Sequence, residues 1–167
     1  MGWRSSFVGL ALALVVVPAA PPTPAARGEL TVEVGHFPWN GTWYQDVYGH
    51  EHEKVEVVPK YAENGRVEVT VGLGGLSGTD VTLVFWRDEA KSTHVAATAI
   101  HRSDRTGPSG SLVRHLSGVE GRVLLQKDDW GPGRPLDCLF SVRAVMNEQP
   151  QLLLGMFNLS IPTDAWR

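Results

Sequence analysis

The stretch EKVEVVPKYAENGRVEVTVGL, residues 53–73, decides the fold class of this 167-residue chain. Apolar and polar side chains alternate on both sides of AENG, and every second residue from Val67 to Leu73 is apolar. Strict alternation is typical of an antiparallel strand with one buried face and one solvated face. Between the two runs, Asn64 and Gly65 tolerate the positive φ that a tight turn requires. The stretch therefore predicts a β-hairpin.

The rest of the chain shows the same period of two, and turn residues interrupt it at short intervals. Further strands are predicted at 30–35, 42–48, 79–87, 93–102, 111–117, 121–127, 136–146 and 151–161. Only 136–146 also fits a helix. Together with the hairpin these make ten strands, two more than a small barrel holds, so some are expected to be peripheral or merged. An all-β sheet of this size manages its edges by closing into a barrel or by stacking two sheets.

Composition and motifs exclude several classes of function. The chain has 15 Lys+Arg and 18 Asp+Glu, a net charge of -3, so no basic footprint for nucleic acid or an anionic membrane is present. The single cysteine, Cys138, cannot form an intramolecular disulfide or a Cys-rich zinc site, and its apolar neighbours predict burial. The sequence has no G-x-S-x-G, P-loop or dinucleotide fingerprint. We therefore predict no catalytic residues, no cofactor and no enzymatic activity.

The first 27 residues have the pattern of a secretory signal peptide. Arg4 precedes an apolar run of 11 residues, 7–17, which small residues and prolines follow. This run is shorter than the roughly 18–20 residues that a membrane-spanning helix needs. We expect cleavage of this segment and secretion of residues 28–167 as a single extracellular domain, with no membrane partner.

Secretion gives two short motifs a possible role. Asn40-Gly41-Thr42 and Asn158-Leu159-Ser160 are N-glycosylation sequons without a central proline. Asn40 and Asn158 are therefore predicted to carry glycans if the chain is made in a eukaryotic secretory pathway.

Residues 40–45, NGTWYQ, are predicted to open the first long strand of the barrel. A glycine that permits a tight turn, followed by an inward-pointing tryptophan, can plug one end of a small barrel. This GTWY start resembles the first strand of the avidin family and is also similar to the G-x-W opening of lipocalins. The blocks VFWR at 84–87, STHV at 92–95 and DDW at 128–130 are similar to later avidin segments in type and order. The resemblance implies an antiparallel up-and-down β-barrel of eight strands over 28–167 that holds a small molecule in its mouth.

The avidin pattern also implies a ligand-binding site, with biotin or a biotin-like molecule as the candidate. The implied residues are Trp43 and Trp86 as apolar walls, Gln45, His50, Ser92 and His94 as polar contacts, and Trp130, which would reach into a neighbouring subunit of a homo-oligomer. In contrast, Val71, Ala96 and Cys138 stand where the family has a tyrosine, an aromatic side chain and an Asn or Asp. Each lost polar partner leaves a buried group unpaired at a cost of ~1–3 kcal/mol, so very tight biotin binding is not expected.

The residues alone leave alternatives open. A lipocalin-type carrier would need a helix near the C-terminus, and a β-sandwich interaction module would have two stacked sheets without a cavity. The tryptophans could either line a pocket or fill a barrel end. His50 and His52 could share a metal ion, but the sequence fixes no third ligand, so a solvated turn is favoured and no metal site is predicted.

Overall fold

A computed structural model describes residues 27–38, 40–45, 51–52, 55–72, 78–103 and 112–166, apart from the side chains of residues 51, 52 and 112. Within this part of the chain, strands and turns make up the structure, and no helix is long and apolar enough to span a membrane. Residues 1–26 of the predicted signal peptide, and the predicted contact His50, lie outside the described residues. The all-β prediction is confirmed, and the segment that also fits a helix forms a strand.

Eleven strands occur in the described part of the chain. In chain order they are β1 (Gly28–Val34), β2 (Trp43–Gln45), β3 (Glu51–His52), β4 (Glu56–Tyr61), β5 (Val67–Gly72), β6 (Gly78–Arg87), β7 (Thr93–Ser103), β8 (Leu112–His115), β9 (Ser117–Leu125), β10 (Pro135–Met146) and β11 (Gln149–Ser160). The predicted hairpin is confirmed: β4 pairs antiparallel with β5, Val57 lies opposite Val71, and Gly65 has a φ of +77° in the turn.

The strands form one curled, mixed sheet that makes a half-barrel. Its order is β3-β2-β11-β10-β9-β1-β7-β6-β5-β4, with β8 paired to β7 off this path. Strand β1 joins the two halves of the sheet, because residues 28–30 pair antiparallel with β7 and residues 31–34 pair parallel with β9. This parallel pair departs from the wholly antiparallel, eight-stranded barrel that was predicted. The physical reason is that alternation within a strand does not report its partner's direction, and that the chain forms β2 to β8 before β9 returns beside β1.

The core lies on the inner face of the half-barrel. The largest fully buried side chains there include Tyr44, Phe85, Phe140 and Phe157. The Tyr44 hydroxyl on β2 donates a hydrogen bond of 2.7 Å to the Thr79 carbonyl on β6, although the two strands are six places apart in the sheet order. The rings of Phe85 and Phe157 meet nearly at right angles, at 85° and 6.3 Å between centroids. Contacts between strands so far apart require the sheet to curl around its core.

Candidate functional site

Side chains fill the inner face, where the resemblance places a ligand. Trp130 belongs to this core and is 2% exposed. Its ring packs edge-on against Phe85 at 6.1 Å, and its Nε1 donates a hydrogen bond of 2.9 Å to Thr93 Oγ1. The Arg87 guanidinium lies 5.0 Å above the same ring. Trp130 is therefore a core residue whose indole nitrogen is already paired.

Trp43 and Gln45 lie on the opposite, outer face of the sheet. They flank Tyr44 on the short strand β2, and since successive side chains alternate between faces, the burial of Tyr44 in the core turns both neighbours outward. Both side chains are half-buried. The prediction that Trp43 points into the barrel is therefore wrong, because Tyr44 takes the inward position.

Trp86 and His94 also lie on the outer face, in the other half of the sheet. They are opposite each other on β6 and β7, and their rings stack with centroids 5.6 Å apart and planes 15° apart. The Arg66 guanidinium covers Trp86 at 5.6 Å from the ring centroid. These three side chains form a stacked cluster on the surface.

Two carboxylates hold the imidazole of this stack. His94 Nε2 lies 3.0 Å from Asp88 Oδ2, and His94 Nδ1 lies 3.5 Å from Glu29 Oε1. The hydrogen bond with Asp88, and then that with Glu29, raise the pKa of His94, while the same bond and that from the Ser92 backbone lower the pKa of Asp88. Ser92 is exposed, and its amide donates a hydrogen bond of 2.8 Å to Asp88 Oδ1. The predicted polar contacts Ser92 and His94 therefore share one partner, the carboxylate of Asp88.

The structure does not bring the predicted ligand contacts together. Trp43 and Gln45 lie on the outer face of the β2 half of the sheet, the Ser92, His94 and Trp86 group lies on the β6–β7 half, and Trp130 lies in the core. The reason is strand order: β11, β10, β9 and β1 lie between β2 and β7.

A groove on the outer face is the best candidate site. Its volume is about 500 Å³, and its apolar lining includes Trp43, Leu124, Leu139 and Leu154. Strand register explains this lining, because Leu124 lies opposite Leu139, which in turn lies opposite Met156, the partner of Trp43. An apolar row thus crosses β9, β10, β11 and β2 on the face that an ordinary half-buried sheet leaves to polar residues.

Residues 35–42, the crossover segment, connect β1 to β2. Glu33 precedes this segment and Trp43 follows it, and both line the groove. The segment must travel from β1 to β2 past three intervening strands. The Gly35 amide donates a hydrogen bond of 2.9 Å to the Leu125 carbonyl at one end, and the Gly41 amide donates one of 2.6 Å to Asn158 Oδ1 at the other. Phe37 within it and Met156 beneath the row are 4% and 5% exposed, yet neither belongs to the inner core. Met156, in register with Leu139 and Trp43, is therefore a buried member of the outer-face row.

Polar and charged groups lie at the rim of the groove. Arg122, Ser141 and Glu33 line it beside the leucines. Arg122 and Ser141 are directly opposite each other on β9 and β10, next to the pair of Leu124 and Leu139. Arg122 is exposed and has no hydrogen-bond or ion-pair partner among the described side chains. The groove can therefore offer an apolar floor and one free cation.

The two predicted sequons lie side by side. Asn40 is exposed, whereas Asn158 is half-buried. Asn158 Nδ2, the atom to which a glycan would be attached, donates a hydrogen bond of 2.9 Å to Asp137 Oδ1. Its Oδ1 accepts the Gly41 amide within the other sequon. A glycan on Asn158 Nδ2 would have to be accommodated beside Asp137 on a half-buried side chain, so the exposed Asn40 is the better-placed acceptor.

Sites for reactive or metal chemistry are not evident in the described residues. Cys138 is fully buried on the inner face, and burial raises the pKa of its thiol. A buried, protonated thiol is a poor nucleophile. Among the residues that the structure describes, no group of three or more His, Cys, Asp or Glu side chains could hold a metal ion.

Sequence reasoning missed the leucine groove, although a signal for it was present. The runs Leu124-Leu125, Leu139-Phe140 and Leu152-Leu153-Leu154 place apolar residues at consecutive positions of predicted strands. Consecutive apolar residues in a strand mean that both faces are apolar. The outward members of these runs are the leucines of the groove and its surroundings.

Comparisons with known proteins add no family. No protein-family model matches the chain, and neither curated proteins nor solved structures show significant similarity to it.

Proposed function

We propose that this chain is a secreted, non-catalytic binding protein that holds a small, partly apolar molecule in the outer-face groove. The observation that carries the proposal is the apolar row of Trp43, Leu124 and Leu139 on the face that such sheets usually keep polar. The volume of about 500 Å³ falls within the roughly 300–1,000 Å³ of small-molecule pockets.

The lining indicates the chemistry of the ligand. Trp43 and the leucines would cover an apolar body, while Ser141 and Arg122 would hydrogen-bond a polar or anionic end. Burial of roughly 200 Å² of apolar ligand surface would supply about 5 kcal/mol. Before any cost of association, 5 kcal/mol corresponds to a Kd of about 0.2 mM, so tighter binding would need the polar contacts of Ser141 and Arg122 as well.

The proposal keeps the ligand class of the avidin resemblance but moves the site. Side chains fill the inner face, so the groove replaces the barrel mouth. Biotin remains a candidate, because its apolar chain and carboxylate suit the leucines and Arg122. Closure into an eight-stranded barrel would need strand β4 to reach the β2–β3 edge, and it stays a proposal from the resemblance, as does the homo-oligomer. The secretory signal stays a proposal from the residue pattern of 1–27.

A neutral fluorescent probe, N-phenyl-1-naphthylamine, tests the groove directly. We expect saturable fluorescence enhancement with the wild-type chain and about 10-fold weaker binding by Leu154→Ser, because that side chain lines the groove. Leu152→Ser is the matched control, since Leu152 lies on the same strand and face, is 50% exposed and does not line this groove. Displacement of the probe by biotin would extend the result to that ligand.

Two results would contradict the proposal. One is the absence of saturable binding by a chain whose circular dichroism shows it to be folded. The other is equal weakening by Leu154→Ser and Leu152→Ser, which would indicate general adhesion to apolar surface. In either case the protein-interaction alternative would replace the small-molecule one.

A further inference from the structure

A second cavity, of about 400 Å³, opens at one end of the half-barrel and shares no lining residue with the groove. It lies between the β4–β5 turn, the end of β6, the loop before β10 and the C-terminal turn. Its lining residues are Asn64, Gly65, Arg87, Trp130, Gly131, Pro132, Arg134 and Trp166. Two guanidinium groups and two indoles therefore meet at one place.

Two of the residues that line this cavity carry the buried polar side-chain atoms that lack a partner in the described part of the chain. They are Arg87 Nε and Trp166 Nε1, which are shielded from solvent and have no acceptor within hydrogen-bond distance. Both atoms can only donate. Buried donors are nearly always paired, so two unpaired donors beside one cavity indicate a site for a group that accepts hydrogen bonds.

The other polar groups around the cavity are already paired. Arg87 Nη2 donates to the Asp128 carbonyl, and Arg134 Nη1 lies 3.5 Å from Asp129 Oδ2. The carboxylate of Asp128 accepts a hydrogen bond from Thr93 Oγ1. The groups that remain for a ligand are the two unpaired hydrogen-bond donors and the positive charge of Arg87.

We propose that this cavity binds a small organic carboxylate with a flat ring. The carboxylate would accept hydrogen bonds from the arginine and indole donors, for which planar guanidinium groups are well suited. The ring would pack against the indole of Trp166, which also lies 3.5 Å from where a Cβ at Gly131 would be. Because Trp166 Nε1 is shielded from solvent, the proposal requires the half-exposed indole ring to turn so that this donor reaches the ligand.

Nuclear magnetic resonance of the tryptophan indoles tests the proposal, with benzoate as the probe. The sequence has six tryptophans, and Trp166→Phe assigns the cross-peak of Trp166 by its loss. We expect a saturable downfield shift of the Trp166 indole N–H on addition of benzoate up to about 10 mM. The Trp130 N–H, which already donates to Thr93, is the internal reference and should move much less.

Variants and analogues separate this site from general electrostatic attraction. Arg134→Gln should weaken benzoate binding about 10-fold or more, since a hydrogen bond to a charged partner is lost. Arg143→Gln is the matched control and should change nothing: these arginines are 60% and 63% exposed, and each lies within 4.0 Å of an acid. Benzamide, the neutral analogue, should shift the Trp166 signal at least 10-fold less at equal concentration.

The proposal is overturned if the Trp166 signal does not move, if benzamide is as effective as benzoate, or if Arg143→Gln weakens binding as much as Arg134→Gln. Inorganic phosphate acting as well as benzoate would also overturn it, because the ring would then contribute nothing. Since the groove probe is neutral and binds on another face, failure of one proposal leaves the other standing.

Discussion

Gly155 and Phe140 offer a quantitative test of how the half-barrel is packed. The two residues lie directly opposite each other on β11 and β10, and the phenyl ring occupies the space that a side chain at Gly155 would need. A Cβ at Gly155 would lie 2.7 Å from Cε1 of that ring, whereas ordinary contact begins at 3.4 Å. The Cζ atom of the ring would be closer still, so the buried ring would have to retreat by about 1 Å within a close-packed core.

We expect Gly155→Ala to lower the free energy of unfolding by about 1–3 kcal/mol, the usual cost of overpacking. The loss of unfolded-state freedom on replacing glycine offsets about 0.4–1 kcal/mol of the strain. Phe140→Leu alone should lower the free energy of unfolding by about 1–1.5 kcal/mol, because it removes ring contacts but keeps an apolar side chain in the core. The double variant should cost little more than Phe140→Leu, since the smaller leucine leaves room for the new methyl group. The coupling energy is therefore about 1–2 kcal/mol, within the range known for residues in contact.

Urea denaturation, followed by tryptophan fluorescence, measures all four chains of this cycle. Gly35→Ala serves as the control, because its Cβ would meet only the flexible end of Leu124 at 3.2 Å. Its change should stay within about 0.5 kcal/mol. Additivity of the two substitutions to within about 0.5 kcal/mol would refute the reasoning, since it would mean that the ring does not fill the space over Gly155.

Three further predictions concern polar and titratable groups. Because the pKa of His94 is raised in the folded chain, its pairing with Asp88 and Glu29 stabilises the fold below about pH 6.5, and this stabilisation is lost as the pH rises through the folded pKa. The melting temperatures of wild type and His94→Gln should therefore differ at about pH 5.5 and converge at about pH 8.5. A difference that stays constant with pH would contradict this. Tyr44→Phe should lower the free energy of unfolding by about 1–3 kcal/mol in urea, because the buried Thr79 carbonyl loses its donor; an unchanged midpoint would show that the bond is not formed. Cys138, whose thiol pKa is raised by burial, should react with a thiol reagent only after denaturation; fast labelling of the folded chain would contradict its place in the core.

The strands themselves were largely predictable from local pattern. The valines of β5 alternate with polar residues, and in the sheet the valines face the core while Glu68 and Thr70 face outward. Gly65 in the preceding turn has the positive φ that its sequence context required. These features depend on near neighbours in the chain, so a sequence window contains their cause.

The candidate sites were less predictable because they depend on which strands become neighbours. The GTWY motif predicts an inward-pointing Trp43, and this is wrong: Tyr44 enters the core, and Trp43 faces outward. The avidin resemblance assigns Trp86 and His94 to the same ligand site as Trp43. In the sheet, however, four strands lie between β2 and β7. The cavity with Arg87 and Trp166 joins residues 79 positions apart, and no local motif marks that meeting.

The sequence by itself determined the all-β class, the hairpin of β4 and β5, and the burial of Cys138, since alternation and turn residues act over a few positions. Only the tertiary structure decided that β1 pairs parallel with β9 on one side and antiparallel with β7 on the other. It also decided that Leu124, Leu139 and Trp43 share one outer surface. Strand direction and order arise from the packing of distant segments around a common core, and a pattern with a period of two is the same whichever neighbour a strand acquires.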